Sequence, residues 1–513
     1  MKRLAALFLG LAVFSFGAFA APKTIVYGTT EKITDLDNAS TWDFHTWEYF
    51  QNISYGLVTY KEGSSDLVPG LAEKYTSNAA GDEYTFTLRK GLKFSNGDAL
   101  DANAVKWTID RVIALKGDPV SLVTDYVDSV TVKDPLTVVF KLKGPTGYFA
   151  ALVASPPYFP QDPKIFPVDK IVSDPSGLPG GKFVGAGPFV LSSYKRDQEA
   201  VFDVNPNWYG AKPLVDRVVI RYFADATTLR LALDKGEVDI AFKTLNPSDI
   251  AAEQKNANVK TFTLNGAFIR YLAFETSESV FKDKNLRKAV AYLVNRPELN
   301  QKVYLGQNKP LYTMIPEGLG YRSETFKTLG DGNVKAAEAL LTKAGYSKDK
   351  PFAFDLWYTT SHYGDAEVNQ AEVLKSQLEK TPLIKVTLKT AEWATYKQQW
   401  DKKQMPVFLL GWYPDYIDSD DFSAVFTSTE ASKGNGVYFS SKVWDDLYVT
   451  ERTSADPKVR DAAFKKVQSL WIDDVPTIPL WQGGLYVFGK KNVANVETNA
   501  SMLLLYDKLA LSK

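Results

Sequence analysis

The chain has 513 residues, 60 basic and 60 acidic side chains, no cysteine and two histidines. Its length calls for about three packed units, and 45% hydrophobic against 23% charged residues describes a globular chain and excludes large-scale disorder. Balanced charge leaves no electrostatic footprint for nucleic acid or an anionic membrane, and the lack of cysteine excludes disulfides, thiolate metal sites, cysteine nucleophiles and a cysteine-linked lipid.

Lys2 and Arg3 precede an apolar run over residues 4–17 and the small-residue pattern Ala18-Phe19-Ala20. That order predicts a secretory signal peptide over residues 1–20, cut between Ala20 and Ala21. The apolar stretch is short for a membrane span and has no stop-transfer flank, and no later run is apolar enough to span. The mature chain is therefore expected to be soluble, without a membrane anchor, and periplasmic. Farther on, Tyr84, Phe86 and Leu88 alternate with polar residues as a half-buried strand. Alternating residues on either side of Asp134-Pro135 predict a hairpin, and a Pro- and Gly-rich stretch over residues 145–187 predicts a long surface loop or a subdomain boundary. Val218, Ile220 and Tyr222 read as another strand. Leu286, Ala289, Val290, Leu293 and Val294 fall at helical spacing, Asn295 and Pro297 mark a break and a new start, and Val334, Ala337, Leu340, Leu341 and Ala344 form a second helical face stopped at Gly345. Phe352, Phe354, Leu356 and Tyr358 alternate as a strand, and residues 407–410 are a short apolar run suited to a strand buried on both faces and ending at Gly411. The irregular alternation of both periodicities predicts mixed α/β units.

Several blocks in this order carry a resemblance. Leu71-Ala72-Glu73-Lys74-Tyr75 precedes Tyr84-Thr85-Phe86-Thr87-Leu88-Arg89-Lys90-Gly91-Leu92-Lys93-Phe94-Ser95-Asn96-Gly97. Gly185-Ala186-Gly187-Pro188-Phe189 with Asn205-Pro206-Asn207-Trp208-Tyr209, then Leu233-Asp234-Lys235-Gly236-Glu237-Val238-Asp239-Ile240, then residues 281–290, follow. Together they resemble the peptide-type family (family 5) of extracellular solute-binding proteins that serve ATP-binding-cassette importers. The resemblance implies an α/β, two-lobed periplasmic-binding-protein fold, hinged by two crossover strands, with an extra subdomain inserted in the first lobe. On this chain lobe I would take residues 21–60, 178–265 and 484–513, the insert 61–177, and lobe II 266–483. It implies a peptide, more readily an oligopeptide, held in the interlobe cleft by a monomeric receptor that hands it to membrane permease and ATPase subunits.

Gly411-Trp412-Tyr413-Pro414-Asp415-Tyr416 follows a buried strand, where α/β sheets present ligand-binding groups. A carboxylate there can receive an ammonium, and the resemblance places Asp415 against a ligand α-amino group, with Gly411, Trp412, Tyr413 and Tyr416 beside it. It also places His45 and Trp47 in an early cleft-facing loop, and Trp481 and Gln482 at the second hinge crossing. Dipeptide-binding relatives hold the far carboxylate with an Arg in the loop after the strand matched by residues 352–358. Here that loop reads Thr359-Thr360-Ser361-His362-Tyr363-Gly364, leaving His362 as a weak substitute, so strict dipeptide selection is not expected.

No cofactor and no metal are expected: Asp418-Ser419-Asp420 lacks the Gly and bidentate Glu of a calcium loop. An exported glycosidase is the enzymatic alternative, but no H-E-x-x-H, G-x-S-x-G or phosphate-loop motif is present, and two histidines without cysteine give nucleophilic catalysis little to work with. Within the same fold, the eleven tryptophans make an oligosaccharide the alternative cargo.

Overall fold

The computed structural model describes residues 22–243, 245–364, 366–454 and 456–512; the expected signal segment, with Ala20 and Ala21, lies outside them. Among the described residues no helix is long and apolar enough to cross a membrane.

Two strands organise the chain. Val259–Phe274 and Thr477–Lys490 pair antiparallel along almost their whole length, from Val259 opposite Lys490 to Ala273 opposite Thr477. Beyond one end of the pair the sheet continues through Ile240–Phe242, Thr24–Thr29, Arg217–Tyr222, Glu199–Val204 and Phe189–Lys195, and beyond the other through Val407–Trp412, Phe352–Tyr358 and Ile384–Thr390. Each half has its own core. One cluster is built from residues between Ile25 and Phe242 and between Leu485 and Leu509, with Tyr416 as an intruder; the other runs from Ile269 to Trp481.

The register breaks where the two halves meet, between Asn265 and Ile269. A Cβ on Gly483 would lie 1.7 Å from the Phe268 ring, and one on Gly266 2.4 Å from the Gly483 carbonyl. The bulge and its glycines let two backbones and an aromatic ring share this crossing. Gln482 braces it, accepting from the Glu317 amide at 2.7 Å and donating to the Gly266 carbonyl at 2.6 Å.

The four-stranded sheet of Ala72–Ser77, Glu83–Leu88, Thr137–Leu142 and Val127–Asp134 joins the first core, packed by the helix Ala102–Leu115. Asp101 caps that helix by accepting from Asn103 and Ala104 amides. Glu83–Leu88 buries alternate residues and the hairpin turns at Asp134-Pro135, as the periodicity predicts.

The later part of the Pro-rich stretch runs over the surface, with residues 168–171 and 179–182 exposed, and its middle does not. Residues 156–162 are all buried and fold partly as short helical turns. Asn38 donates to the carbonyls of Pro156 at 3.1 Å and Phe159 at 2.8 Å, and Arg111 donates to the Pro167 and Lys170 carbonyls. Side chains from remote parts of the chain thus replace the water that an irregular buried backbone would otherwise need.

In the second half, Lys284–Leu293 buries its expected face, and Asn295 caps Arg296–Tyr304 by accepting from the Glu298 amide. Val407–Trp412 is buried over its first four residues and runs past Gly411, parallel to Phe352–Tyr358.

Candidate functional site

A cavity of about 1520 Å³ lies between the two cores, walled by the segments after Thr24–Thr29 and Ile240–Phe242 on one side and by those after Val407–Trp412 and Phe352–Tyr358 on the other. Phe268 and Arg270 on one crossing strand and Trp481 on the other form its floor. The walls touch at several points. Trp42 of the first half donates its indole N–H to Asp415 Oδ1 at 2.6 Å, Tyr60 accepts from the Ile417 amide at 3.2 Å, and Tyr148 stacks on Tyr416 with ring centroids 5.2 Å apart.

The acidic run after Val407–Trp412 divides into two kinds. Asp418 pairs with Arg460 at 2.6 Å, and Asp420 accepts from Arg452 at 2.8 and 3.0 Å and from the Tyr416 hydroxyl at 2.6 Å. Asp415 and Asp421 are buried without an ion-pair partner among the described residues. Asp421 Oδ2 accepts from the Asp415 amide at 3.0 Å and from the Trp412 indole at 3.3 Å, while its Oδ1 is buried with no hydrogen bond. Burial pushes the Asp415 carboxyl up to about 7 against the help of the Trp42 indole. Burial, then repulsion from Asp415, holds Asp421 well above the usual carboxylate range. Both groups line the cavity, where a cation entering between the walls would relieve them.

The first-half wall is also polar. Lys243 lies 3.2 Å from Glu31 and 3.4 Å from Glu48, and His45, packed against Tyr49 and Tyr222, is kept neutral by burial and then by Lys243. His45 thus meets the cavity, but from a helix and not a loop. Asp43 accepts from the Thr46 amide at 2.8 Å and starts the helix Phe44–Ile53.

The other expected positions fall into two groups. Trp412, Tyr413, Tyr416, His362 and Trp481 line the cavity with Asp415. Tyr413 lies between Phe44 and Phe268, at centroid distances of 4.8 and 5.1 Å. His362 stacks on Trp393 at 4.0 Å; burial of that face, then Arg270 and Lys397, lowers it to about 4, so it is uncharged near neutrality. Trp47, Gln482 and Gly411 do not line the cavity. Trp47 is packed in the first core with its indole donating to the Thr41 carbonyl at 2.9 Å, because its helix turns that face inward. Gln482 spends both ends of its amide on the crossing point. Gly411 serves a neighbour: a Cβ there would lie 2.8 Å from Arg270 Nη1.

Arg270, Trp42 and Asp421 are among the cavity residues that sequence reasoning did not single out as ligand contacts. Arg270 carries a signal, since it is the one charge in an otherwise apolar run over residues 267–274. Trp42 carries none, because it and Asp415 are separated by 373 positions in sequence.

The model of the bacterial extracellular solute-binding proteins, family 5, matches residues 66–434. The chain belongs to this family. It is 26% identical over 506 residues to the dipeptide-binding protein of Escherichia coli strain K12, covering 92% of this chain and 91% of that relative. It is also 26% identical over 526 residues to the di/tripeptide-binding protein 2 of Pseudomonas aeruginosa strain UCBPP-PA14, covering 96% and 97%. Among solved structures, the ABC transporter-associated periplasmic binding protein DppA of Helicobacter pylori in complex with the peptide STSA superposes with a TM-score of 0.81 at 22% identity, over 96% of this chain and 98% of that one. The two-lobed periplasmic-binding-protein fold follows from that likeness.

Proposed function

We propose that this protein is the exported substrate receptor of an ATP-binding-cassette importer and captures peptides with a free amino terminus in the interlobe cleft. The observation that carries the reading is the pair Asp415 and Asp421: two buried carboxylates at a large cavity with no cation on either among the described residues. An ammonium placed at Asp415 makes charge-assisted hydrogen bonds worth about 1.5–3 kcal/mol each and removes a repulsion that the protein otherwise sustains. Relatives named for dipeptides and di/tripeptides support the choice of a peptide, and the cavity volume leaves room for more than two residues. Tyr413, Trp412 and Trp481 supply the apolar surface for side chains.

In this reading residues 21–60, 178–265 and 484–513 are lobe I, 61–177 its insert and 266–483 lobe II, closing about the crossing at Gly266 and Gly483. Residues 1–20 direct export to the periplasm, and the mature receptor works as a monomer, binding without catalysing and docking on permease and ATPase subunits.

Thermal-shift measurements with peptides of two to five residues test it, because a ligand that binds only the folded state raises its stability by mass action. Free-amine peptides should raise the unfolding temperature and their N-acetylated forms should not. A shift with oligosaccharides alone would assign the cleft to sugars.

A further inference from the structure

Three of the contacts between the walls land on consecutive residues: Trp42 on Asp415, the Tyr148 ring on Tyr416, and the Tyr60 hydroxyl on the Ile417 amide. Tyr148 meets a ring and Tyr60 a backbone amide, and neither partner ionises near neutrality. Trp42 meets a carboxyl, so its contact is the one of the three that answers to charge. The residue is also held ready for it. Thr41 donates its amide to the Asp37 carbonyl at 3.1 Å and accepts the Trp47 indole at 2.9 Å, Asp43 caps the helix that follows, and Asp37 is paired with Arg111 at 2.6 Å. A donor carried on so fixed a loop loses little freedom when the walls meet.

The two oxygens of Asp415 have different surroundings. Oδ1 accepts from Trp42 at 2.6 Å; Oδ2 accepts from none of the described residues and, unlike Asp421 Oδ1, is not sealed off from the cavity. An indole N–H only donates, and its bond to an ionised carboxylate is about twice as strong as its bond to a neutral acid. An ammonium on Oδ2 keeps Asp415 ionised and so strengthens the bond on Oδ1. By linkage the effect is reciprocal: walls joined through Trp42 favour the ionised form that the ammonium requires. The other charged groups nearby supply no such link. Asp421 repels Asp415, Asp420 is paired with Arg452, Asp43 is committed to the Thr46 amide and the Thr34 hydroxyl, and Glu31 lies 3.2 Å from Lys243 and 3.9 Å from His45.

We propose that Trp42 is a positioning residue that couples the amine site to closure of the cleft, its indole N–H holding the first-half wall to Asp415 most firmly when a ligand ammonium occupies the same carboxylate. The inference rests on the peptide reading above and deepens it: occupancy at Asp415 is passed to the opposite wall through one hydrogen bond.

Calorimetric titration of the full mature chain at neutral pH with alanine peptides of two to five residues tests the coupling, through a cycle of Trp42→Phe, Asp415→Asn and the double variant. Trp42→Phe keeps an aromatic ring and removes the N–H, and the residue is 41% exposed, so the core is untouched. It should weaken binding about tenfold in the wild-type background and less than about twofold in the Asp415→Asn background. Equal losses in the two backgrounds overturn the coupling, because Trp42 would then act by packing or by touching the ligand itself. The Trp42 indole proton resonance, assigned by its loss in Trp42→Phe, gives a second reading. In the wild type it should move downfield as pH rises through about 7 without ligand, and also on addition of peptide at about pH 6; in Asp415→Asn it should ignore pH. A wild-type resonance that ignores both pH and peptide overturns the coupling and leaves the peptide reading intact. Failure of every alanine peptide to bind the wild type overturns the peptide reading and the coupling with it.

Discussion

Two buried carboxylates of this chain have opposite surroundings. Asp37 in the first half accepts from both terminal nitrogens of Arg111, at 2.7 and 2.6 Å, from the Gln161 side chain and from the Val172 amide. Asp415 in the second half receives the Trp42 indole and, among the described residues, no cation. A buried charge with every lone pair met welds segments together; a buried charge without a counterion is stable only to the extent that the rest of the fold sustains it, and it is poised for a visitor. The acidic run at residues 415–421 repeats the contrast over one turn of chain, with Asp418 and Asp420 paired to arginines and Asp415 and Asp421 not.

The largest expected effect breaks the structural half of this contrast. Arg111→Met should destabilise the protein by about 3–5 kcal/mol in urea unfolding, because it leaves Asp37 buried without its counterion and removes the donors to the Pro167 and Lys170 carbonyls. A loss below about 1 kcal/mol would mean that the pair is not what holds that segment.

Asp415→Asn should do the reverse. Affinity for free-amine peptides should fall by at least about tenfold, a loss of about 1.4 kcal/mol, in calorimetric titration. Folding stability at about pH 8 should rise, since the folded-state carboxyl titrates near 7 and the unfolded one near 4. Between those values the native protein holds a proton that the unfolded chain has lost, so wild-type stability declines as pH rises through this window. The gap between variant and wild type should therefore close toward about pH 4. Lower stability of the variant at every pH would make Asp415 a structural residue.

The same titration sharpens the binding prediction. Peptide affinity should weaken as pH falls through about 7, by about tenfold near pH 6, as Asp415 takes up the proton that excludes an ammonium. It should also weaken above about pH 8, where a peptide α-amino group loses its own proton. A flat profile from pH 5 to 8 would place the amine elsewhere.

The smallest effect concerns His362. Because burial and Arg270 keep the ring uncharged, His362→Gln should leave the pH profile unmoved and change affinity only through lost stacking on Trp393. A shift of the acidic limb in that variant would reassign it to the histidine.

The strands and helices were legible in their periodicity, as in the alternation of Tyr84, Phe86 and Leu88 or the buried face of Leu286, Ala289, Val290 and Leu293. Within the Pro-rich stretch, residues 156–162 depart from a surface loop because their carbonyls are met by Asn38, distant in sequence. Gln482 and Trp47 misled for a related reason: proximity to the cleft in sequence does not say which way a side chain faces.

By itself the sequence determined the family, the order of elements and the position of a carboxylate after a buried strand, because these depend on local patterns and short motifs. Only the tertiary structure decided which of four neighbouring aspartates lack a cation, that Trp42 meets Asp415 across the cleft, and that Arg270 keeps one edge of its fork unmade. Those facts depend on which groups exclude water around a charge, and packing brings such groups together from segments hundreds of residues apart.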